Sequence, residues 1–273
     1  MNPNEIKYPL SSLKDQVIEI VCGVAEQIKN AAFTITEKNK AINIVTSSDL
    51  LSQKLLVEKL GALLPESGFY CEEEGLQETE KDYIWVIDPI DGTANYSRHI
   101  ADCAISVALT YKKEAILGVV CGIYTGDVYS ATLGGGSTLN GKRITVTDNN
   151  FESAILCTAM SVYKKEYAKV CNDIIFETYM QCNDYRRFGT CALELCYIAS
   201  GKCDIYFELR VFPWDYAAGL IILKEAGGIV RGLADSELDF SRPSVVVGAN
   251  NKENYEKLSS IVNKHLPTTP YED

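Results

Sequence analysis

The residues best placed to do chemistry in this 273-residue chain lie in one run, Trp85-Val86-Ile87-Asp88-Pro89-Ile90-Asp91-Gly92-Thr93. An apolar strand, Tyr83 to Ile87, ends there and delivers two carboxylates, Asp88 and Asp91, at its C-terminal edge. Pro89 stiffens the turn between them, and Gly92 lets the backbone approach a ligand closely. Thr93 opens a short helix, whose free N–H groups favour a phosphate. Carboxylates and a backbone carbonyl are hard oxygen ligands of the kind that Mg2+ takes. An isolated Asp-x-x-Asp is more often a solvated surface turn. Its position after a buried strand turns it into a candidate metal site.

Three other acidic stretches are candidates beside it. Glu72-Glu73-Glu74 alone would be a solvated loop. Asp49, after Thr46-Ser47-Ser48, and Asp215, in Trp214-Asp215-Tyr216-Ala217-Ala218-Gly219, alone would be helix caps. The small residues of the last run would also permit close helix packing.

The elements that must position these groups read as a mixed α/β protein. Leu10, Leu13, Val17, Ile20, Val21, Val24 and Ile28 recur at helical spacing, predicting a helix over residues 10–30. A lysine-bearing stretch, Thr36 to Ala41, reads as a loop that could close over the site. A second helix starts at Thr46 to Asp49 and stops at Pro65. Ala104–Tyr111 and Ala115–Tyr124 read as antiparallel strands, followed by Val128–Ala131 and a hairpin at Asn140-Gly141. Beyond about residue 150, strands at Ile155–Thr158, Cys203–Phe207 and Ser244–Val247 alternate with helices at Tyr163–Met180, Cys191–Ala199, Asp215–Ala226 and Lys252–Lys264. The expected organisation is an α+β half, residues 1–150, carrying most of the acidic motifs, and a closely packed α/β half, residues 151–273, supplying Asp215.

Composition narrows the partners. A net charge of −11 disfavours nucleic acid and anionic membranes, and anionic substrates need a local reversal of the field. Residues 1–16 have no cationic stretch followed by an apolar run, and no segment approaches ~18 consecutive apolar residues, so a cytoplasmic protein is expected. The ten cysteines include no Cys-x-x-Cys pair and read as reduced, buried small hydrophobes. Two histidines are too few for a histidine-rich zinc site.

Taken together, Val45-Thr46-Ser47-Ser48-Asp49, Glu72-Glu73, Asp88 to Thr93 and Trp214 to Gly219 resemble the inositol monophosphatase family. That family belongs to the lithium-sensitive, Mg2+-dependent phosphatase superfamily, which also holds the fructose-1,6-bisphosphatases. Leu139-Asn140-Gly141-Lys142, Arg187-Phe188-Gly189-Thr190 and Glu208 also match, and the resemblance runs from about residue 10 to 260. The chain departs from the pattern at Asn43, where Asp often stands, at Cys71 for Gly, at Tyr96 for Phe and at Cys191 for Ala.

The resemblance implies a layered α-β-α-β-α sandwich with the site between its halves. Glu72, Asp88 and the Ile90 carbonyl would hold one Mg2+, and Asp88, Asp91 and Asp215 a second, with Glu72 helping to position a third, largely hydrated ion. Gly92 and Thr93 would offer N–H groups to the phosphate, and the Asp49–Thr93 pair would orient and deprotonate the attacking water. Asp91, Cys191 and Glu208 would meet the substrate alcohol. A second phosphate would want extra cations, for which Arg210, Lys202, Lys38 and Lys40 are candidates, and Arg186 and Arg187 could face an anionic group or a dimer partner. The resemblance thus implies a homodimeric hydrolase of a small phosphorylated alcohol or sugar, most simply inositol monophosphate. The alternatives are fructose 1,6-bisphosphate, a 3′-phosphorylated adenosine nucleotide, or a non-catalytic interaction protein that kept the fold.

Overall fold

The computed structural model describes residues 6–40, 43–73, 76–160 and 164–266. Leu13, Val17, Val21, Val24 and Ile28 are all buried, so α1 (Leu10–Lys29) lays one apolar stripe on its neighbours. A two-stranded ribbon follows, β1 (Ile35–Lys40) antiparallel to β2 (Asn43–Thr46). The stretch expected to be a loop is therefore largely a strand, because backbone pairing with β2 needs no apolar pattern; Ala41 lies outside the described residues. Helix α2 (Ser47–Leu63) starts on a reciprocal cap: Thr46 Oγ1 accepts from the Ser48 N–H, and the Asp49 carboxylate accepts from the Thr46 N–H at 2.8 Å.

The larger sheet has seven strands in sequence order, β3 (Gly68–Cys71), β4 (Tyr83–Asp91), β5 (Ala104–Tyr111), β6 (Glu114–Gly122), β7 (Val128–Thr132), β8 (Gly136–Leu139) and β9 (Lys142–Arg143). The short helix α3 (Thr93–Tyr96) interrupts it after β4. Asn140 and Gly141 both take positive φ in the two-residue turn joining β8 to β9, as the sequence predicts. The smaller sheet is mixed, in the order β11 (Asp184–Arg186), β10 (Ile155–Thr158), β12 (Ile205–Val211), β14 (Ser244–Ala249), β13 (Ile229–Arg231). Its helices are α4 (Ala168–Tyr179), α5 (Cys191–Ala199), α6 (Pro213–Glu225) and α7 (Lys252–His265).

Three apolar clusters define five layers. One joins α1 and α2 to the outer face of the large sheet, one fills the space around α5 and α6 between the sheets, and one packs α4 and α7 on the far side of the small sheet. The small residues of the Trp214 run are what let the middle layer close. A Cβ on Gly118 of β6 would meet the Ala218 carbonyl at 2.7 Å, and one on Gly219 would meet Leu195 of α5 at 2.8 Å. None of the ten cysteines forms a disulfide, and most are buried. No helix among the described residues is long and apolar enough to cross a membrane.

Candidate active site

The site begins with an irregularity in β4. The strand does not stop at Ile87, as the Asp-Pro step suggests, but continues to Asp91 with every residue buried. Asp88 pairs with Ser106 and Asp91 with Ala104, so one extra residue bulges between them. In a regular strand, residues three apart point to opposite faces. The bulge re-aims them, and both carboxylates line one cavity of about 560 Å3. Pro89 suits the bulge because it has no N–H to lose from the ladder. Ser52 of α2 donates to the Pro89 carbonyl at 2.9 Å, and the Ile90 N–H donates to Asp88 Oδ1 at 2.9 Å, fixing the turn.

Glu208 sits beside a second bulge, between β12 and β14, where Glu208 pairs with Val246 and Val211 with Ser244. The strand expected to end at Phe207 runs on through it, carrying Glu208 and Arg210 to the cavity wall. Asp215 is the third residue of α6, and its Oδ2 accepts the Phe212 N–H at 2.6 Å. Asp91 caps α5 across the cavity: its Oδ2 accepts from Thr190 Oγ1 at 2.5 Å and from the Ala192 N–H at 2.7 Å. Asp91 and Asp215 therefore each have a local structural task as well as a place in the cavity.

The structure brings Glu72, Asp88, Ile90, Asp91, Gly92, Thr93, Cys191, Glu208 and Asp215 to that cavity. Asp49 does not line it but lies behind it, fully buried, with Thr93 Oγ1 donating to its Oδ1 at 3.1 Å. The same hydroxyl lies 3.1 Å from the Ile90 carbonyl. Gly92 takes φ +87, and a Cβ there would meet the Asp102 carbonyl at 3.0 Å. Glu73 is buried away from the cavity, its N–H bonded to Gln53 Oε1 at 3.0 Å. Glu74 lies outside the described residues.

Burial dominates the electrostatics. It pushes the Asp88 and Asp215 carboxyls well above the ordinary range, with further lifts from Glu72 and Asp91. It raises Asp91 to about 6 and Glu208 to about 7, the latter held back by the Tyr206 hydroxyl that donates to its Oε2. Burial also raises Asp49, against the hydrogen bonds from Thr46 and Thr93. Among the described residues no three acidic, histidine or thiol groups already stand at the spacing of a closed coordination shell. Five carboxylates instead share one cavity and hinder one another's ionisation, and an all-oxygen donor set of that charge fits hard divalent cations.

Basic side chains line the same cavity. They are Lys164, Lys165, Arg187 and Arg210, with Arg210 over the Phe212 ring at 5.1 Å and Lys164 paired to Glu166 at 3.6 Å. The two lysines escaped the sequence reading because they precede a helix with no polar signature of a site. Lys202 is elsewhere, donating to the Tyr129 hydroxyl at 2.8 Å, and Arg186 pairs with Asp184 at the surface. Glu194 was also missed: it reads as one polar residue in an apolar helix, and only the fold shows its carboxyl to be fully buried.

The inositol monophosphatase family model matches residues 3–266. The chain is 34% identical over 213 residues to the Nus factor SuhB of Vibrio cholerae, covering 77% of this chain and 80% of that one. It superimposes on an IMPase of Thermotoga maritima with a TM-score of 0.84 and 28% identity, over 93% of this chain and 98% of the other. A further neighbour, an IMPase/NADP phosphatase solved with Mg2+ and phosphate, shares the fold at a TM-score of 0.80 and 24% identity, over 92% and 96% of the two chains.

Proposed function

The chain belongs to the inositol monophosphatase family, and on that premise we propose that it is a Mg2+-dependent hydrolase of a small phosphorylated polyol, inositol monophosphate being the simplest. The observation that carries this reading is the convergence of Glu72, Asp88, Asp91 and Asp215 on one cavity whose rim holds Gly92 and Thr93. The carboxylates of that set and the Ile90 carbonyl would hold Mg2+, two ions by the family pattern with a third near Glu72. What Mg2+ supplies when bound is neutralisation of the ester phosphate and acidification of water.

The chain's own residues do the rest. The Gly92 and Thr93 N–H groups orient the phosphate. Thr93 Oγ1 accepts a hydrogen bond from the attacking water and keeps its own proton toward Asp49 Oδ1, which receives the proton released. Burial prepares Asp49 for that role by raising its proton affinity. Glu208, Asp91 and the Cys191 region orient the alcohol so that its ester oxygen leaves in line with the attack. The protein is proposed to act in the cytoplasm as a homodimer, and to be inhibited by lithium.

A second reading of the substrate has an observation of its own: the four basic side chains that line the cavity. A polyol offers them only neutral hydroxyls, whereas a second phosphate would offer charge-assisted acceptors. The name of the Vibrio cholerae relative supports a role as a Nus factor, which a catalytic cavity does not exclude. Phosphate release from inositol 1-phosphate, fructose 1,6-bisphosphate and 3′-phosphoadenosine 5′-phosphate, with and without Mg2+, separates these readings. Mg2+-dependent release that Asp88→Asn abolishes supports the hydrolase, and the best ester names the substrate class. No release from any ester by folded protein would overturn it in favour of a non-catalytic role.

A further inference from the structure

We infer that Glu194 is a positioning residue of the metal site, acting through the turn at residues 187–190 to hold Asp91 in place. This rests on the reading of the cavity as a divalent-metal phosphatase site.

Glu194 lies in the first turn of α5 and is fully buried. Its Oε1 accepts the N–H groups of both Phe188 (2.8 Å) and Gly189 (3.2 Å). Asn95 grips the same turn from the other side, its Nδ2 donating to the Phe188 carbonyl at 2.7 Å and to the Asp102 carbonyl at 2.6 Å. Gly189 takes φ +86, so the chain reverses sharply between the two clamps. The next residue is Thr190, whose hydroxyl, with the Ala192 N–H, holds Asp91 Oδ2. Glu194 is thus two hydrogen bonds and one residue removed from a proposed metal ligand.

Stability alone does not account for this carboxyl. Its Oε2 has no hydrogen-bond partner among the described residues, and burial pushes the group well above the ordinary carboxylate range. A buried polar atom without a partner is a cost that an apolar side chain would not carry. Phe188 and Gly189 are themselves only half-buried residues, so this turn lies close to the surface. What an apolar residue could not do is fix those two N–H groups in one place, and with them the direction from which Thr190 meets Asp91. Groups that orient a metal ligand in this way typically change metal affinity or activity by about 10–100-fold when removed.

The test compares Glu194→Leu, Glu194→Gln and Glu194→Asp in the full chain. Three quantities are read: Mn2+ affinity by electron paramagnetic resonance, the Mg2+ concentration for half-maximal phosphate release, and the melting temperature. The Leu variant is expected to melt close to wild type yet bind Mn2+ at least about tenfold more weakly. The Gln variant, which keeps the Oε1 acceptor at the same reach, should restore affinity to within about twofold. Should the Leu variant fail to fold, the Asp variant decides, because its shorter arm cannot reach the turn and must weaken the metal several-fold. Unchanged Mn2+ affinity in the folded Leu or Asp variant overturns the inference, as does a Gln variant as impaired as Leu. Wild type that binds Mn2+ but hydrolyses no ester would overturn the phosphatase reading alone, with the Mn2+ arm still deciding the positioning role. Wild type with neither property overturns both.

Discussion

Removing divalent metal should make this protein less stable as the pH rises, the reverse of ordinary acid denaturation. Asp91 is raised from 3.8 to about 6, and burial is the first cause. Between those values the folded chain holds a proton that the unfolded chain has released, so stability falls with rising pH and levels off above the folded value. For Asp91 the gap of about two pH units corresponds to about 3 kcal/mol. In a chain of this size that is a fall of about 5 °C in melting temperature. Glu208, raised to about 7, extends the fall toward neutrality, and Asp88 and Asp215 act in the same direction. Surface acids such as Glu66 and Asp184 are held below their ordinary values by Lys7, Tyr8 and Arg186; their stabilisation is lost only at pH below the ordinary carboxylate range, outside this window. Mg2+ replaces the protons, so at about 100 times its Kd it should return about 2.7 kcal/mol at pH 8 and much less at pH 5. Calorimetric scans from about pH 5 to about pH 8, in EDTA and in excess Mg2+, measure both slopes. A melting temperature in EDTA that is flat or rises over that range would refute the reasoning, because the cavity carboxylates would then not be competing for charge.

Two substitutions test the proton path and the phosphate rim. Thr93→Val keeps the shape but removes the hydroxyl between the cavity and Asp49, and should lower kcat by about 10²–10³ with little change in KM; an unchanged kcat would remove Thr93 and Asp49 from the reaction. Gly92→Ala forces a side chain into a left-handed conformation against the Asp102 carbonyl, costing about 1–3 kcal/mol in thermal denaturation and weakening inorganic phosphate binding. Phosphate affinity equal to wild type in that variant would show that the rim does not hold the phosphate.

Much of this was legible in the chain itself, because the motifs encode local geometry. The Thr46–Asp49 cap and the Asn140-Gly141 turn need only neighbouring residues, and both stand as read. The apolar stripe of α1 and the unbroken apolar run of β5 set the layers, since α1 buries one face and β5 both. What the sequence hid depends on pairing at a distance. β1, β11 and β13 are short and lack apolar alternation, so only their partners make them strands. The two bulges were hidden for the same reason: Asp-Pro reads as a stop, and nothing local says that the ladder resumes at Asp91. Glu194 and the two cavity lysines become visible only when α5 and the segment before α4 meet the cavity.

The hydrolase and the non-catalytic readings differ in what they ask of Asp215. Its Oδ2 accepts the Phe212 N–H at 2.6 Å, a bond that an asparagine oxygen can also accept. The charge is therefore not needed to start α6, and it stands against Asp91, Glu72 and Glu208, which all raise its proton affinity. Asp215→Asn should stabilise the metal-free protein at pH 8 by about 1–2 kcal/mol, the gain typical of relieving a strained functional site. It should also remove most of the stabilisation by Mg2+ and abolish phosphate release. A chain that worked only through its surface would have no use for a carboxylate that lowers its stability and does nothing else. If Asp215→Asn instead lowers the metal-free melting temperature, the carboxylate is a structural cap. The argument from its cost then fails, and the non-catalytic reading gains the ground that the hydrolase loses.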